Sequence, residues 1–353
     1  IVLFGASPAA AEVERFLAAN SAAIVAYADN SPAKQASGFC GKDVLSAAAA
    51  ADFAHEGGAI VIASAYQTEI AIQLTHELGA PVAAIFPYVS DMFAKHFGSD
   101  SIAPNRGRIE ALIARLADED SKRYVSALTK FRWTMSPVDL PRNRRVTGFY
   151  GYDAAGMGPF PGAHIVDCGA YTGDTAEAYM RRLNGEATIT AIEPMPESFA
   201  ALVDTIRKNG WGQSVRPVNA AVGAVNGVVA LGGSFVKPDP RASIHRQDSA
   251  ATQQVQVASL DTMFTNRNQP VDLIKIDIEG YELDALEGAR KVIGAWKPDL
   301  AIAGYHKPEH LWEVPEAIWA LDPGYEIHAG HHPSATYEVE FYCVNAARRT
   351  KAA

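Results

Sequence analysis

The sequence predicts an α/β protein whose sheets are mainly parallel, because hydrophobic strands alternate with helical stretches along most of the chain. Two regions carry this pattern, one opening at Ile1 and the other at about His164. In each region the first strand runs into a glycine-containing turn, after Phe4 in the first region and after Cys168 in the second. Strands that alternate with helices form a parallel sheet covered on both faces.

The chain has 353 residues, enough for two hydrophobic cores, and we expect three segments. Residues 1–98 are predicted to form a smaller Rossmann-like α/β domain, 99–149 a helical connector and 150–353 a larger α/β domain. The connector is inferred from apolar residues at helical spacing between Ile109 and Leu116.

The larger domain is predicted to hold seven strands. They are 165–168, 189–193, 215–222, 273–278, 300–304, 325–328 and 337–344, with helices at 173–183, 197–208, 281–293 and 308–320. The last two strands follow each other too closely for a helix between them, so we expect an antiparallel pair. A mainly parallel seven-stranded sheet with an antiparallel last strand is typical of Rossmann-like methyltransferases.

Composition excludes several classes of partner. Lysine and arginine number 31 against 40 acidic residues, a formal net charge of −9, so neither nucleic acid nor an anionic membrane is expected. No apolar run approaches the roughly 20 residues that span a bilayer. The three cysteines lie far apart, which indicates neither a disulfide framework nor a zinc cluster and favours the cytoplasm.

The turn after the first strand of the larger domain indicates the cofactor. Gly169 and Gly173 allow a tight turn and a close approach to a ligand. A dinucleotide-binding turn needs a glycine where this chain has Tyr171. Asp167 and Asp174 flank the turn, and they would repel a pyrophosphate but suit the cationic amino and sulfonium groups of S-adenosylmethionine. The predicted donor-binding residues here are Asp167, Gly169, Ala170, Tyr171, Gly173 and Asp174.

The next two strands are expected to complete the donor site with Glu193, Pro194 and Ala221. Glu193 ends the second strand, where a carboxylate can accept hydrogen bonds from both ribose hydroxyls. The alternative is that Glu193, which precedes Pro194, only caps the following helix. Small residues around Ala221 end the third strand and are expected to leave backbone groups open to the adenine.

Candidates for the acceptor side come from the fourth and fifth strands. Side chains alternate along a strand, so Lys275, Asp277 and Glu279 are predicted to share one face. Buried charges are costly unless paired, and an ion pair is the preferred interpretation of Lys275. Asp277 is predicted to be catalytic, whereas Glu279 either enters the site or caps the helix beginning at Tyr281.

His306 follows the fifth strand and is a candidate general base, because the pKa of histidine lies near neutrality. His306 and His310 are four residues apart, but Pro308 interrupts the helical spacing that a metal site would use. No metal site is therefore predicted.

Together these segments resemble the FkbM-type methyltransferases. The resemblance is carried by Val166–Asp174, Ile192–Pro194, Leu273–Glu282 and Leu286–Ala289, within roughly residues 162–344. It implies a Rossmann-like domain that uses S-adenosylmethionine to methylate a hydroxyl, often of a sugar or a natural product. The expected function is therefore O-methylation of a small molecule or glycan.

Two other functions stay open. One is an NAD- or nucleotide-sugar-dependent oxidoreductase that uses the first domain, which is disfavoured because only Gly5 of the glycine fingerprint is present. The other is a methyltransferase fold kept as a non-catalytic binding module. The acceptor and the oligomeric state are not indicated by the sequence.

Overall fold

The computed structural model describes residues 1–64, 66–88, 97–136, 139, 157–231, 253–265, 270–330 and 338–345. The chain divides into two compact units, the first built mainly from residues 1–106 and the second mainly from residues 145–332. The predicted boundaries at 98 and 149 stay a prediction.

The first unit contains a five-stranded parallel sheet. Its strands are β1 (Val2–Phe4), β2 (Ala26–Ala28), β3 (Val44–Leu45), β4 (Ile60–Ile62) and β5 (Ile85–Pro87), in the order β3-β2-β1-β4-β5. Every neighbouring pair is parallel, as the alternation of strands and helices predicts.

Helices connect these strands and continue beyond them. They are α1 (Pro8–Ala19), α2 (Pro32–Ser37), α3 (Ala47–His55), α4 (Gln67–Ile72) with a π-helical turn at Gln73–Glu77, α5 (Ser99–Ile102), α6 (Arg106–Arg115) and α7 (Glu119–Thr134). The hydroxyls of Ser7 and Ser46 accept backbone N–H groups at the starts of α1 and α3, which fixes where these helices begin.

The second unit contains the predicted seven-stranded sheet. Its strands are β6 (Ala163–Cys168), β7 (Ala187–Ile192), β8 (Val215–Val218), β12 (Leu273–Ile276), β13 (Asp299–Ala303), β14 (Tyr325–Gly330) and β15 (Glu340–Asn345). Their order is β14-β15-β13-β12-β6-β7-β8, and only the last strand, β15, runs antiparallel to its neighbours. The predicted fold class is confirmed, while the predicted strand start at Tyr337 lies outside the described residues.

A second, smaller sheet corrects the predicted strand at 215–222. That segment is broken into β8 and β9 (Ala221–Val222). The latter joins β10 (Gly227–Leu231) and β11 (Gln253–Ala258) in a three-stranded sheet of order β10-β11-β9. The backbone N–H of Ala220 bonds the carbonyl of Val218, and this turn takes the chain from one sheet to the other.

The second unit includes most of α6. Its later helices are α8 (Asp174–Arg182), α9 (Pro196–Lys208), α10 (Leu260–Phe264), α11 (Glu282–Glu287), α12 (Arg290–Trp296) and α13 (His310–Leu321). The predicted single helix at 281–293 is therefore two helices. Gly288 separates them, and a Cβ there would lie 2.2 Å from the carbonyl oxygen of Gly223.

The centre of the larger sheet is covered on both faces. Every residue of β6, β12 and β13 is buried. Side chains can therefore reach a ligand only beyond the strand ends. Among the described residues, every helix is too short or too polar to cross a lipid bilayer.

Candidate functional site

The candidate site lies where β6 and β12 end. These strands are neighbours at the centre of the larger sheet, and the chain continues from them to opposite sides, to β7 and to β13. Open parallel sheets bind ligands outside the carboxyl ends of the strands at such a point. The backbone N–H of Asp277 donates to the carbonyl of Cys168 at 3.1 Å, so the two chain segments leave the sheet side by side.

The turn after β6 is held in an unusual conformation. Gly169, Tyr171 and Gly173 have φ values of 81°, 45° and 92°, in the left-handed region that glycine adopts most readily. The backbone N–H of Gly169 donates to the carbonyl of Ile192 at 3.0 Å. A Cβ at Gly169 would lie 1.9 Å from the carbonyl oxygen of Asp277. The close approach of the two segments therefore requires glycine at this position.

Asp167 and Lys275 form a buried ion pair beneath the turn. The Lys275 Nζ lies 3.2 Å from Asp167 Oδ1 and donates a hydrogen bond of 2.7 Å to the carbonyl of Gly169. Burial raises the pKa of Asp167, and the Lys275 ammonium offsets part of the rise. The ion pair preferred for Lys275 is confirmed. Asp167, predicted to face a cofactor, has no exposed surface and acts on the turn through Lys275.

Glu193 comes directly after β7 and contacts the same turn. Its Oε2 accepts the backbone N–H of Tyr171 at 2.9 Å, and its Oε1 accepts that of Met195 at 2.8 Å. Burial raises the pKa of Glu193 to about 7. Met195 precedes the first residue of α9, whereas a capping side chain binds the second or third N–H of the helix. Glu193 is thus not a helix cap.

The other predicted donor-site residues have different environments. Asp174 is the exposed first residue of α8, and Ala170 is fully buried. The Asn219 Nδ2 donates to the carbonyls of Glu193 and Pro194 at 2.9 and 3.2 Å, which ties the ends of β7 and β8 together. Ala221 is buried in β9, in the small sheet.

On the other side of Gly169 the ends of β12 and β13 bring five ionisable side chains together. We call Asp277, Glu279, Glu282, His306 and His310 the His306 cluster. The His306 Nε2 lies 3.4 Å from Asp277 Oδ1 and 3.6 Å from Glu279 Oε2. The His306 Nδ1 lies 2.8 Å from Glu282 Oε1. The three predicted catalytic residues, Asp277, Glu279 and His306, are therefore neighbours in space.

The backbone explains why these side chains converge. The predicted strand at 273–278 ends at Ile276, and beyond it Glu279 and Gly280 have φ values of 56° and 103°. The predicted common face of Lys275 and Glu279 is therefore lost. Lys275 points to the turn after β6, and Glu279 turns toward His306.

The charges of the His306 cluster are strongly coupled. Burial acts to raise the pKa of Glu282, but hydrogen bonds with His306 and His310 outweigh it and hold that pKa well below its usual range. Burial acts to lower the pKa of His306, yet the hydrogen bond to Glu282 and the surrounding carboxylates raise it to about 9. Burial raises the pKa of Glu279 to about 7.

Two residues of this site are absent from the predicted set. Glu282 is fully buried, and its Oε1 accepts the backbone N–H groups of Ile278 and Gly280, so Glu282 and not Glu279 closes this turn. The Tyr305 hydroxyl donates to Asp277 Oδ1 at 3.3 Å. Glu282 stands in the first turn of a short helix, where an acid is common, so its burial leaves no signal in the sequence.

The first unit has a cavity at the corresponding edge of its own sheet. β1 and β4 are adjacent there and mark the point where connections diverge. The cavity has a volume of about 650 Å³, and its lining includes Gly5, Ser7, Asp29 and Lys34. Asp29 accepts the Lys34 ammonium at 2.7 Å.

Comparison with known proteins agrees with this architecture. Residues 167–327 match the family model described as the methyltransferase FkbM domain. The chain is similar in structure to the methyltransferase FkbM from Methylobacillus flagellatus KT, with a TM-score of 0.68 and 21% identity over 97% of this chain and 89% of that chain. A search of curated proteins found no match.

A fibrillarin from Aeropyrum pernix, solved with natively bound S-adenosyl-L-methionine, is a more distant neighbour. It has a TM-score of 0.34 and 14% identity over 57% of this chain and 85% of that chain.

The fold is that of the Rossmann-like methyltransferases. Residues 167–327 match the model of the methyltransferase FkbM domain, and this match confirms the family resemblance of the sequence motifs in that segment.

Proposed function

We propose that the protein transfers the methyl group of S-adenosylmethionine to a hydroxyl of a small molecule or glycan. The observation that carries this proposal is the carboxylate of Glu193. Each oxygen of the carboxylate accepts one backbone N–H. A carboxylate has about four lone-pair sites, so about two stay available, one on each oxygen. That is the acceptor pattern that two vicinal ribose hydroxyls need.

The other donor-site residues fit this ligand. The Gly169–Gly173 turn presents backbone at the end of β6, and the exposed Asp174 supplies a negative charge for the donor's amino group. We assign Asp167 a positioning role, because Lys275 links its carboxylate to the turn. Pro194 and Ala221 line the ribose and adenine end in this proposal.

The acceptor is proposed to lie against Asp277, Glu279 and His306. S-adenosylmethionine supplies a methyl group that is already electrophilic. The chain's task is to orient the acceptor oxygen and to take up its proton. A new carbon–oxygen bond forms, the methyl–sulfur bond breaks with its electron pair going to sulfur, and the hydroxyl proton passes to the side chains around His306.

Calorimetric titration of the full chain tests the donor assignment. We expect S-adenosylhomocysteine to bind in the micromolar range that is usual for enzyme substrates and NAD to give no binding heat. Glu193→Gln should weaken the binding, whereas Glu197→Gln, which alters an exposed acid in α9, should not. Binding of NAD without S-adenosylhomocysteine would overturn the proposal.

The acceptor class needs a separate measurement. Incubation with methyl-labelled donor and a panel of hydroxylated sugars and metabolites should give a labelled methyl ether that mass spectrometry identifies. Label found only on nitrogen or carbon would refute the hydroxyl assignment and leave the donor site intact.

A further inference from the structure

One nitrogen atom of the His306 cluster points at two carboxylates without bonding either of them. The His306 side chain is 8% exposed, and its Nε2 makes no hydrogen bond within the described part of the chain. Asp277 Oδ1 lies 3.4 Å away and Glu279 Oε2 lies 3.6 Å away. These distances are too long for good hydrogen bonds.

The other ring nitrogen of His306 is held firmly. Its Nδ1 lies 2.8 Å from Glu282 Oε1, and Glu282 is itself fixed by two backbone N–H groups and by His310, whose Nδ1 lies 3.1 Å from Glu282 Oε2. A carboxylate on one ring nitrogen fixes the ring orientation, and the other nitrogen can then bind a cation that displaces its proton. Histidines that bind metals are held in this way.

We propose that Asp277 Oδ1, Glu279 Oε2 and His306 Nε2 bind a divalent transition-metal cation, with Glu282 as the positioning residue. Ligands about 2.0–2.1 Å from a tetrahedral zinc ion lie ~3.3 Å apart, close to the distances around His306. Octahedral magnesium would bring neighbouring ligands to ~2.9 Å. The imidazole ligand also favours zinc over magnesium or calcium. The cation displaces the proton from His306 Nε2 when it binds, and two carboxylates and the resulting neutral imidazole then balance its charge.

This inference departs from the expectation of no metal site, which depended on the linear spacing of His306 and His310. Here the ligands come from the turn after β12 and the end of β13, and His310 reaches the site only through Glu282. The Tyr305 hydroxyl, which donates to Asp277 Oδ1, orients one of the ligands.

The cation's role in catalysis rests on the proposed function. When the cation occupies the side chains around His306, the proton of a coordinated hydroxyl passes to water instead, and more readily, since the positive charge stabilises the alkoxide. The alkoxide oxygen then forms the new bond to the methyl carbon, and sulfur keeps the electron pair of the broken bond. Binding of the cation itself does not depend on any donor or acceptor.

Zinc binding to the full chain, stripped with a chelator and measured without donor or acceptor, tests the site. We expect one equivalent of Zn²⁺, and His306→Ala should weaken the binding at least tenfold. His55→Ala, which removes an exposed histidine in the first unit, should leave it unchanged. Glu282→Gln should weaken zinc binding by about 10–100-fold, the usual loss when a ligand's carboxylate partner is removed.

Glu279→Gln keeps the shape of the side chain, so it tests the site even if His306→Ala fails to fold. Equal zinc affinity in wild-type and Glu279→Gln protein, or no zinc binding at all, would overturn the proposal. Titration of S-adenosylhomocysteine into the same samples separates the two claims. Donor binding without zinc binding removes only the metal site, and zinc binding without donor binding removes only the proposed function.

Discussion

The two units place a carboxylate at the same point of their parallel sheets. Asp29 follows β2 and accepts the backbone N–H groups of Ala6 and Ser31 at 3.0 and 2.9 Å. Glu193 follows β7 and accepts those of Tyr171 and Met195. In both units one N–H comes from the turn after the first strand and the other from two residues downstream.

The difference between the two carboxylates is a lysine. Asp29 also accepts the ammonium of Lys34, and burial, which acts to raise its pKa, is outweighed by this lysine and by backbone N–H groups, so that the pKa is lowered. Among the described residues no lysine or arginine forms an ion pair with Glu193. The pKa of Glu193 is instead raised to about 7 by burial.

The comparison indicates how one arrangement serves two purposes. The Asp29 carboxylate is neutralised within its own unit and stabilises the turn after β1. The Glu193 carboxylate keeps acceptor capacity, at a cost in stability when it is ionised. We therefore assign the donor site to the second unit.

The largest difference between the two units is expected in stability, when alanine replaces a glycine of the turn after the first strand. In Gly169→Ala the new Cβ would lie 1.9 Å from the carbonyl oxygen of Asp277, and the residue would also keep a positive φ. We expect the unfolding free energy to fall by about 3 kcal/mol or more, measured by urea denaturation. In Gly5→Ala the Cβ would lie 2.8 Å from the carbonyl oxygen of Ala63, and we expect a smaller loss. Equal losses would remove the distinction between the turns.

The second-largest effect is expected on the affinity for the methyl donor. Glu193→Gln removes a charged acceptor, and we expect binding of S-adenosylhomocysteine to weaken by about 10–100-fold, the effect of losing a hydrogen bond to a charged group. Asp29→Asn is the matched change in the first unit and should alter affinity by less than about twofold. Calorimetry measures both. A larger loss for Asp29→Asn would move the donor site to the first unit.

The smallest effect is the pH dependence of stability. The pKa of Glu193 rises from 4.5 to about 7 on folding, so between these values the folded state binds more protons than the unfolded state. The unfolding free energy should therefore fall as the pH rises from 5 to 8. Glu193→Gln removes the contribution of this carboxyl, so the fall between pH 5 and 8 should be shallower in the variant than in wild type, by on the order of 1 kcal/mol.

Asp29 should show the opposite sign. Its pKa is lowered from 3.8, so it stabilises the fold above that pH and loses the contribution as the pH falls. Asp29→Asn should therefore be less stable than wild type at pH 7. Denaturation curves at pH 5, 6, 7 and 8 measure both variants, and parallel behaviour of the two would contradict the comparison.

The fold class and the family could be predicted from the sequence because they depend on local signals. Alternating strands and helices indicate the parallel sheet, and the glycines at 169 and 173 mark positions that need a left-handed backbone. Glu193 could be placed at the end of a strand because the strand itself is a local signal.

The partners of the charged residues could not be predicted, because they depend on the register of distant segments. Lys275 lies opposite Asp167 in the pairing of β12 with β6, which converts a predicted ligand into a buried ion pair. The contact between His306 and Glu282 likewise joins the end of β13 to the start of α11. Such pairings follow from strand order, and no local pattern encodes it.

A crystal structure of the full chain with S-adenosylhomocysteine tests the central claim most directly. We expect the adenosine at the end of β6, with its two ribose hydroxyls each within hydrogen-bonding distance of one oxygen of Glu193. A ligand bound instead in the cavity beside Asp29, or bound in the second unit with its ribose away from Glu193, would contradict the account.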